Sequence, residues 1–184
     1  MERGFVLWFT GLPGSGKTTL ARAVAEVLRR RGMRVEILDG DEVRKWLSPE
    51  AGFSREDRER HLRRVAHVAR LLARNGVAVL CSFVSPYRSV RREAREIVES
   101  EGIPFVEVYA KCSLEECMRR DPKGLYKRAL RGEIKHMTGL DDPYEPPEAP
   151  EIVVDTESRA VEEGVETILS KLRELGLLRC SRET

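Results

Sequence analysis

Apolar positions along this chain fall into two periods. Short runs rich in β-branched and aromatic residues, Phe5 to Phe9, Val35 to Asp39, Val77 to Val84, Pro104 to Ala110 and Ile152 to Asp155, read as buried strands. Between them, longer segments repeat apolar residues at helical spacing: Lys17 to Arg31, Asp41 to Leu47, Arg55 to Asn75, Ser89 to Ser100, Ser113 to Arg119 and Arg159 to Leu175. Strands alternating with helices predict an α/β fold: a mainly parallel five-stranded sheet flanked by helices. The pattern lapses between Arg120 and Pro150, which reads as a loop-rich insertion, and the chain from Arg179 onward reads as frayed. With no repeat or linker, residues 1–184 are expected to form a single domain.

Composition narrows this picture without overturning it. Hydrophobic residues at 41% and charged residues at 35% exclude a disordered chain, and a net charge of +2 gives no argument for nucleic acid or a membrane surface as partner. The first apolar run is too short for a signal segment or a membrane span, so a cytoplasmic location is expected. Cys81, Cys112, Cys117 and Cys180 show no CxxC pairing and no His at metal spacing, which favours reduced thiols over a zinc site. Asn75 is the only Asn, Gln is absent and Arg is abundant, as in many heat-adapted proteins, where intracellular disulfides also occur.

Charge is concentrated locally. Arg119, Arg120, Lys123, Lys127, Arg128, Arg131 and Lys135 crowd around the start of the insertion against Asp121 and Glu133. Such a run is either a solvated face or a mobile lid that brings cations over polyphosphate; the lid, at about 120–150, is the reading favoured here.

Gly11-Leu12-Pro13-Gly14-Ser15-Gly16-Lys17-Thr18, followed by Thr19, matches GxxxxGK[ST] directly after one predicted strand and at the start of a helix. Its glycines let successive N–H groups turn toward phosphate oxygens, Lys17 reaches the β/γ-phosphates, and Thr18 offers a hydroxyl to Mg²⁺. This is a P-loop NTPase fold with ATP and Mg²⁺ expected. The guanine-reading NKxD string is missing, and Asp121-Pro122-Lys123-Gly124 fits DxxG only inside the basic insertion, where a GTPase switch would not lie.

The acceptor side is spelled less compactly. Asp41 and Arg44, three apart at a helix start, share a face at the end of the second strand, where a carboxylate can orient or deprotonate a hydroxyl and an arginine can hold an anion. The stripe Leu62, Val65, Ala69, Leu72 extends backward onto Arg58, with His61 beside it; an arginine on that line is expected to meet an anion at the crevice edge. Phe53 is either a hydrophobic staple or a platform for a base, with the local sequence slightly favouring the staple.

Six ordered blocks resemble adenylyl-sulfate kinases over nearly the whole chain: the P-loop through Thr19, Leu38-Asp39-Gly40-Asp41, residues 52–58, Ser85-Pro86-Tyr87-Arg88, residues 121–126 and residues 138–147. The resemblance implies transfer of the ATP γ-phosphoryl group to the 3′-hydroxyl of adenosine 5′-phosphosulfate (APS), by a cytosolic homodimer. It implies Arg44 and Arg58 on the phosphosulfate, Phe53 on the adenine, Asp41 near the 3′-hydroxyl, Lys123 on the lid, and Arg120 with Thr156 beside the ATP adenine. It places Val84 and Ser85 on the acceptor and marks Ser85 as a phosphoserine intermediate, whereas phosphoryl-transfer chemistry favours direct in-line transfer. His61 stands where the family usually has Asn, and Met137 where an aromatic closes on the acceptor base. A P-loop kinase for another nucleotide or small anionic alcohol, or a slow ATP-hydrolysing binding module, remains the alternative.

Overall fold

The structure, a computed structural model, describes residues 4–178. Five strands, β1 (Phe5–Thr10), β2 (Val35–Asp39), β3 (Ala78–Ser82), β4 (Phe105–Lys111) and β5 (Ile152–Asp155), pair in the order β2-β3-β1-β4-β5, all parallel. The helices are α1 (Lys17–Arg30), α2 (Gly40–Leu47), α3 (Arg55–Arg74), α4 (Arg88–Glu99), α5 (Leu114–Arg120), α6 (Leu125–Leu130) and α7 (Val161–Glu174). The pairing of β1 runs from Phe5↔Ala78 to Phe9↔Ser82 on one side and from Val6↔Phe105 to Thr10↔Tyr109 on the other.

Alternation along β1 splits the core. Phe5, Leu7 and Phe9 face a cluster built with Leu20, Val24, Leu28, Ile168 and Leu172 of α1 and α7, while Val6 and Trp8 face Val65, Ala69, Val90 and Val98 of α3 and α4. A central strand buried on both faces explains why β1 reads as a continuous apolar run. A third, smaller cluster of Cys112, Cys117, Tyr126 and Met137 with Leu12 and Leu125 lies under the insertion.

From β1 the chain goes past β3 to form β2, and later fills the other side with β4 and β5. The crevice of such a sheet opens at the carboxyl end of the strand where the winding reverses, here β1. β3 ends at Ser82, earlier than the sequence pattern suggests, because the chain turns out of the sheet to reach Ser85 at φ +39°.

Two features of the insertion differ from a loop. α6 forms inside the basic run, and residues 142–151 return across the sheet as a bonded strap. Tyr144 Oη meets Thr10 Oγ1 at 3.0 Å, Glu145 N donates to Pro86 O, Arg88 donates to Pro146 O and Glu148, and Arg95 donates to Glu151. Buried Arg91 gathers three partners there: Ser85 O at 2.6 Å, Glu145 O at 2.6 Å and Glu107 Oε1 at 2.8 Å. Burial raises the Glu107 carboxyl above its ordinary range despite that partner.

Candidate active site

A single crevice of about 1230 Å³ runs from the glycine-rich turn to the ends of β2 and β3 and under the insertion. Pockets for one small ligand occupy about 300–1,000 Å³, so two substrates can share this one.

The donor end is made of backbone. Gly16 takes φ +86° as the N-cap of α1, and Gly14 takes φ +78°, where a Cβ would also sit 3.2 Å from Cys117 O. The first turn of α1 therefore presents its N–H groups at the crevice with no side-chain cap in the way. Lys17 Nζ folds over the turn, donating to Gly11 O at 2.9 Å and Leu12 O at 2.7 Å. Its burial lowers the ammonium to about 7, a cost that a phosphate's negative charge would offset. Thr18 Oγ1 donates to Asp39 Oδ2 at 2.9 Å and lies 3.2 Å from Ser82 Oγ. Arg120 donates to Thr156 O at 2.7 Å, and Thr156 Oγ1 donates to Ser15 O, so the two residues that the resemblance expects beside the ATP adenine are joined beside the turn.

The acceptor end is made of side chains. Asp39 caps α2 by accepting from Asp41 N, which sets Asp41 and Arg44 on the first two turns facing the crevice. Arg44 donates to Gly52 O and Ala51 O, and its guanidinium lies 4.7 Å from the Phe53 ring centre; Arg58 lies 5.7 Å from the same ring. Phe53 is 57% exposed, which corrects the staple reading: Ser54 caps α3 through Asp57 N, and the ring is left on the crevice wall between two guanidinium groups. The anion expected beside Arg58 is supplied in this structure by protein oxygens. Arg58 donates to Phe53 O, His136 O and Thr138 Oγ1 and lies 3.9 Å from Asp142, tying the acceptor wall to the insertion. Lys123, near the start of the insertion, pairs with Asp41.

Val84 and Ser85 line the crevice floor, where Val84 O accepts from Thr10 Oγ1. Ser85 is 2% exposed, and its hydroxyl accepts from Trp8 Nε1 at 3.1 Å and donates to Phe83 O at 3.4 Å. His61 is 3% exposed. Its Nδ1 meets Ser48 Oγ at 2.9 Å, Arg64 donates to the same oxygen, and Nε2 has no partner. Burial, with Arg44 and Arg64 adding repulsion, lowers the imidazole to about 4, so the ring is neutral at ordinary pH. Met137 lines the crevice but is 5% exposed and packed in the small cluster with Cys112, Cys117 and Tyr126. Its side chain thus packs the insertion against α5 and the phosphate turn, which limits how far it can turn toward a base opposite Phe53.

The family model described as adenylylsulphate kinase matches residues 3–155. The chain belongs to the adenylyl-sulfate kinase family. A probable adenylyl-sulfate kinase of Aeropyrum pernix is 60% identical over 173 residues, covering 94% of each chain. The structure of the Mycobacterium tuberculosis APS kinase CysC in complex with AMPPNP and APS superposes with a TM-score of 0.91 at 42% identity, covering 94% of this chain and 99% of that one. A hexameric APS kinase from Thiobacillus denitrificans superposes with a TM-score of 0.75 at 37% identity, over 98% of this chain and 31% of that one.

Within this adenylyl-sulfate kinase site, two residues escape a reading of the sequence alone. Asp39 faces Thr18 from a strand 21 residues later, a meeting that only the sheet order creates. Arg91 looks like any arginine of α4, a helix rich in them, yet it holds the floor carbonyl of Ser85. The signals available for Asp39 are its place in the block Leu38-Asp39-Gly40-Asp41 and at the carboxyl end of a parallel strand, and neither names Thr18 as its partner.

Proposed function

We propose that this chain, working as a single kinase domain with residues 120–150 as its lid, transfers the γ-phosphoryl group of ATP to the 3′-hydroxyl of adenosine 5′-phosphosulfate, giving ADP and 3′-phosphoadenylyl sulfate. The observation that carries the reading is the pairing of Lys123 with Asp41 in the one crevice that both the phosphate turn and the Arg44–Phe53–Arg58 wall line. The backbone N–H groups of residues 14–18 and Lys17 bind the β- and γ-phosphates. Arg44 and Arg58 hold the phosphosulfate, and Phe53 stacks on the acceptor adenine. Arg58 then exchanges protein oxygens for substrate oxygens.

Asp41 takes the proton of the 3′-hydroxyl as its oxygen attacks the γ-phosphorus in line, and ADP leaves. Lys123 moves from the carboxylate to the transferring group, which both frees the base and neutralises the developing charge. Thr18, Asp39 and Ser82 present hard oxygens that suit Mg²⁺ shared with phosphates, a donor set of one carboxylate and two hydroxyls. Bound there, the ion would supply neutralisation of the charge on the transferring phosphoryl group. Ser85, buried and held by Trp8, supports direct transfer over a phosphoserine intermediate.

Among the described residues no helix is long and apolar enough to cross a membrane. The cytoplasm and a homodimer are the setting proposed here. Incubation with ATP, Mg²⁺ and APS should yield 3′-phosphoadenylyl sulfate and ADP one for one by mass. Phosphorylation of other nucleotides at equal efficiency, with APS inert, would overturn the assignment.

A further inference from the structure

Cys112 and Cys117 occupy the two positions that a hydrophobic staple joins. Ser113 caps α5, accepting from Glu116 N at 3.2 Å, so Cys112 is the residue before the cap and Cys117 the fourth of the helix. Side chains at those two positions pack on each other across the first turn. Here both are thiols, both are buried, and both belong to one small apolar cluster. The pair lies in the small cluster beneath the phosphate turn with Leu12 and Tyr126.

We infer that Cys112 and Cys117 form an oxidisable staple: a disulfide-forming modification site whose closure tightens α5 against the phosphate turn and weakens ATP binding. The reaction is thiol–disulfide exchange with a small-molecule disulfide. Cys112, the more exposed of the two at 8% against 0%, attacks one sulfur of the oxidant and releases the other as a thiol. Cys117 then displaces the second thiol from the mixed disulfide. Two S–H bonds become one S–S bond, and the two electrons and two protons end on the oxidant's two thiols. Burial pushes the Cys117 thiol up to about 12, which makes it the slower, resolving partner.

Joining the sulfurs brings them to about 2.05 Å, so the helix start must shift toward β4. Three contacts carry that shift to the nucleotide. The Cys117 carbonyl abuts Gly14, Arg120 at the end of α5 bonds Thr156 O, and Tyr126 Oη donates to Pro13 O at 2.9 Å. Displacing such positioning groups by about 1 Å can cost as much as 100-fold in rate; a rise of about tenfold in the KM for ATP is expected.

The inference rests on the ATP site assigned above, and its readouts separate it from that assignment. The full chain carrying Cys180→Ala is reduced, treated with oxidised glutathione, alkylated and cleaved with trypsin, which cuts after Lys111 and Arg119. The peptide 112–119 should appear lighter by two hydrogens and unalkylated, with weaker binding of a fluorescent ATP analogue that a dithiol restores. Adding Cys112→Ala should abolish the mass change and the sensitivity to oxidant. Peptide mass and nucleotide binding need no acceptor, so inert APS would sink the functional assignment and leave this inference standing. Overturning results are two alkylatable thiols after treatment, a glutathione adduct that never closes, a closed disulfide with unchanged nucleotide binding, or an equal loss in the Cys112→Ala variant.

Discussion

The two ends of the crevice are built from different materials. At the donor end the phosphate site is a contiguous turn whose N–H groups are aimed by glycine conformations and by the helix that follows, and one side chain, Lys17, completes it. At the acceptor end, Asp41, Arg44, Phe53, Arg58 and His61 come from α2, α3 and the loop between them, and each is positioned by another group: Asp39, Gly52 O, two guanidinium groups, His136 O or Ser48. A backbone site tolerates side-chain change nearby. A side-chain site is only as fixed as its partners, and those partners include the insertion itself.

That contrast fails if damage at one end reads out at the other. The largest effect is expected from Asp41→Asn, which keeps the shape and removes the base: kcat should fall by about 10² to 10⁴, with ATP binding unchanged. Near-normal turnover would remove Asp41 from the chemistry. Next comes Lys17→Ala, for which kcat/KM for ATP should drop by about 10² to 10³ while the Kd for APS alone holds. A matching loss of APS binding would show the two ends to be one coupled unit.

Phe53→Ala sharpens the comparison from the other side. Stacking on an aromatic ring contributes about 1–3 kcal/mol, so the KM for APS should rise by about 5- to 150-fold with the KM for ATP constant. Since Phe53 is exposed, its removal leaves the melting temperature unmoved; a drop in Tm would return it to the role of a structural staple.

The smallest effect belongs to His61. Its folded-state value of about 4 lies below the ordinary 6.5, so between those values the unfolded chain holds the extra proton. Stability therefore falls as pH drops from about 6.5 to about 4, by at most about 1.4 kcal/mol per pH unit. The groups facing the ring include Arg44 and Arg64, which oppose its protonation, and Glu50, which favours it. Urea denaturation across this range should show a shallower fall in His61→Asn; an identical fall would assign the proton uptake to other groups.

Sequence legibility follows the same divide. The phosphate turn is contiguous, so its spacing alone announces it, and the strands that bracket it read correctly because a doubly covered sheet demands unbroken apolar runs. α6 escapes notice because six residues, Leu125–Leu130, give too few turns for a period to register inside a basic run. Phe53 reads as a staple because its position before the α3 cap is right for one; only the two guanidinium groups reveal the other use. The resemblance expects Met137 to close on the acceptor base, yet the residue is buried against Cys112, Cys117 and Tyr126 of earlier segments, a meeting between separate parts of the chain that no local pattern encodes.

The strap of residues 142–151 has a consequence for how the chain survives being cut. Trypsin can reach Lys123, Lys127, Arg128, Arg131 and Lys135 on the exposed span before it, where each cleavage leaves a free end on either side of the break. Downstream of every one of those bonds, the chain is fastened at Tyr144, Glu145, Pro146, Glu148 and Glu151, and β5 follows directly into the sheet. A nicked molecule should therefore migrate as two fragments in denaturing gels and as one particle in solution, its halves held by the strap and the β4–β5 pairing.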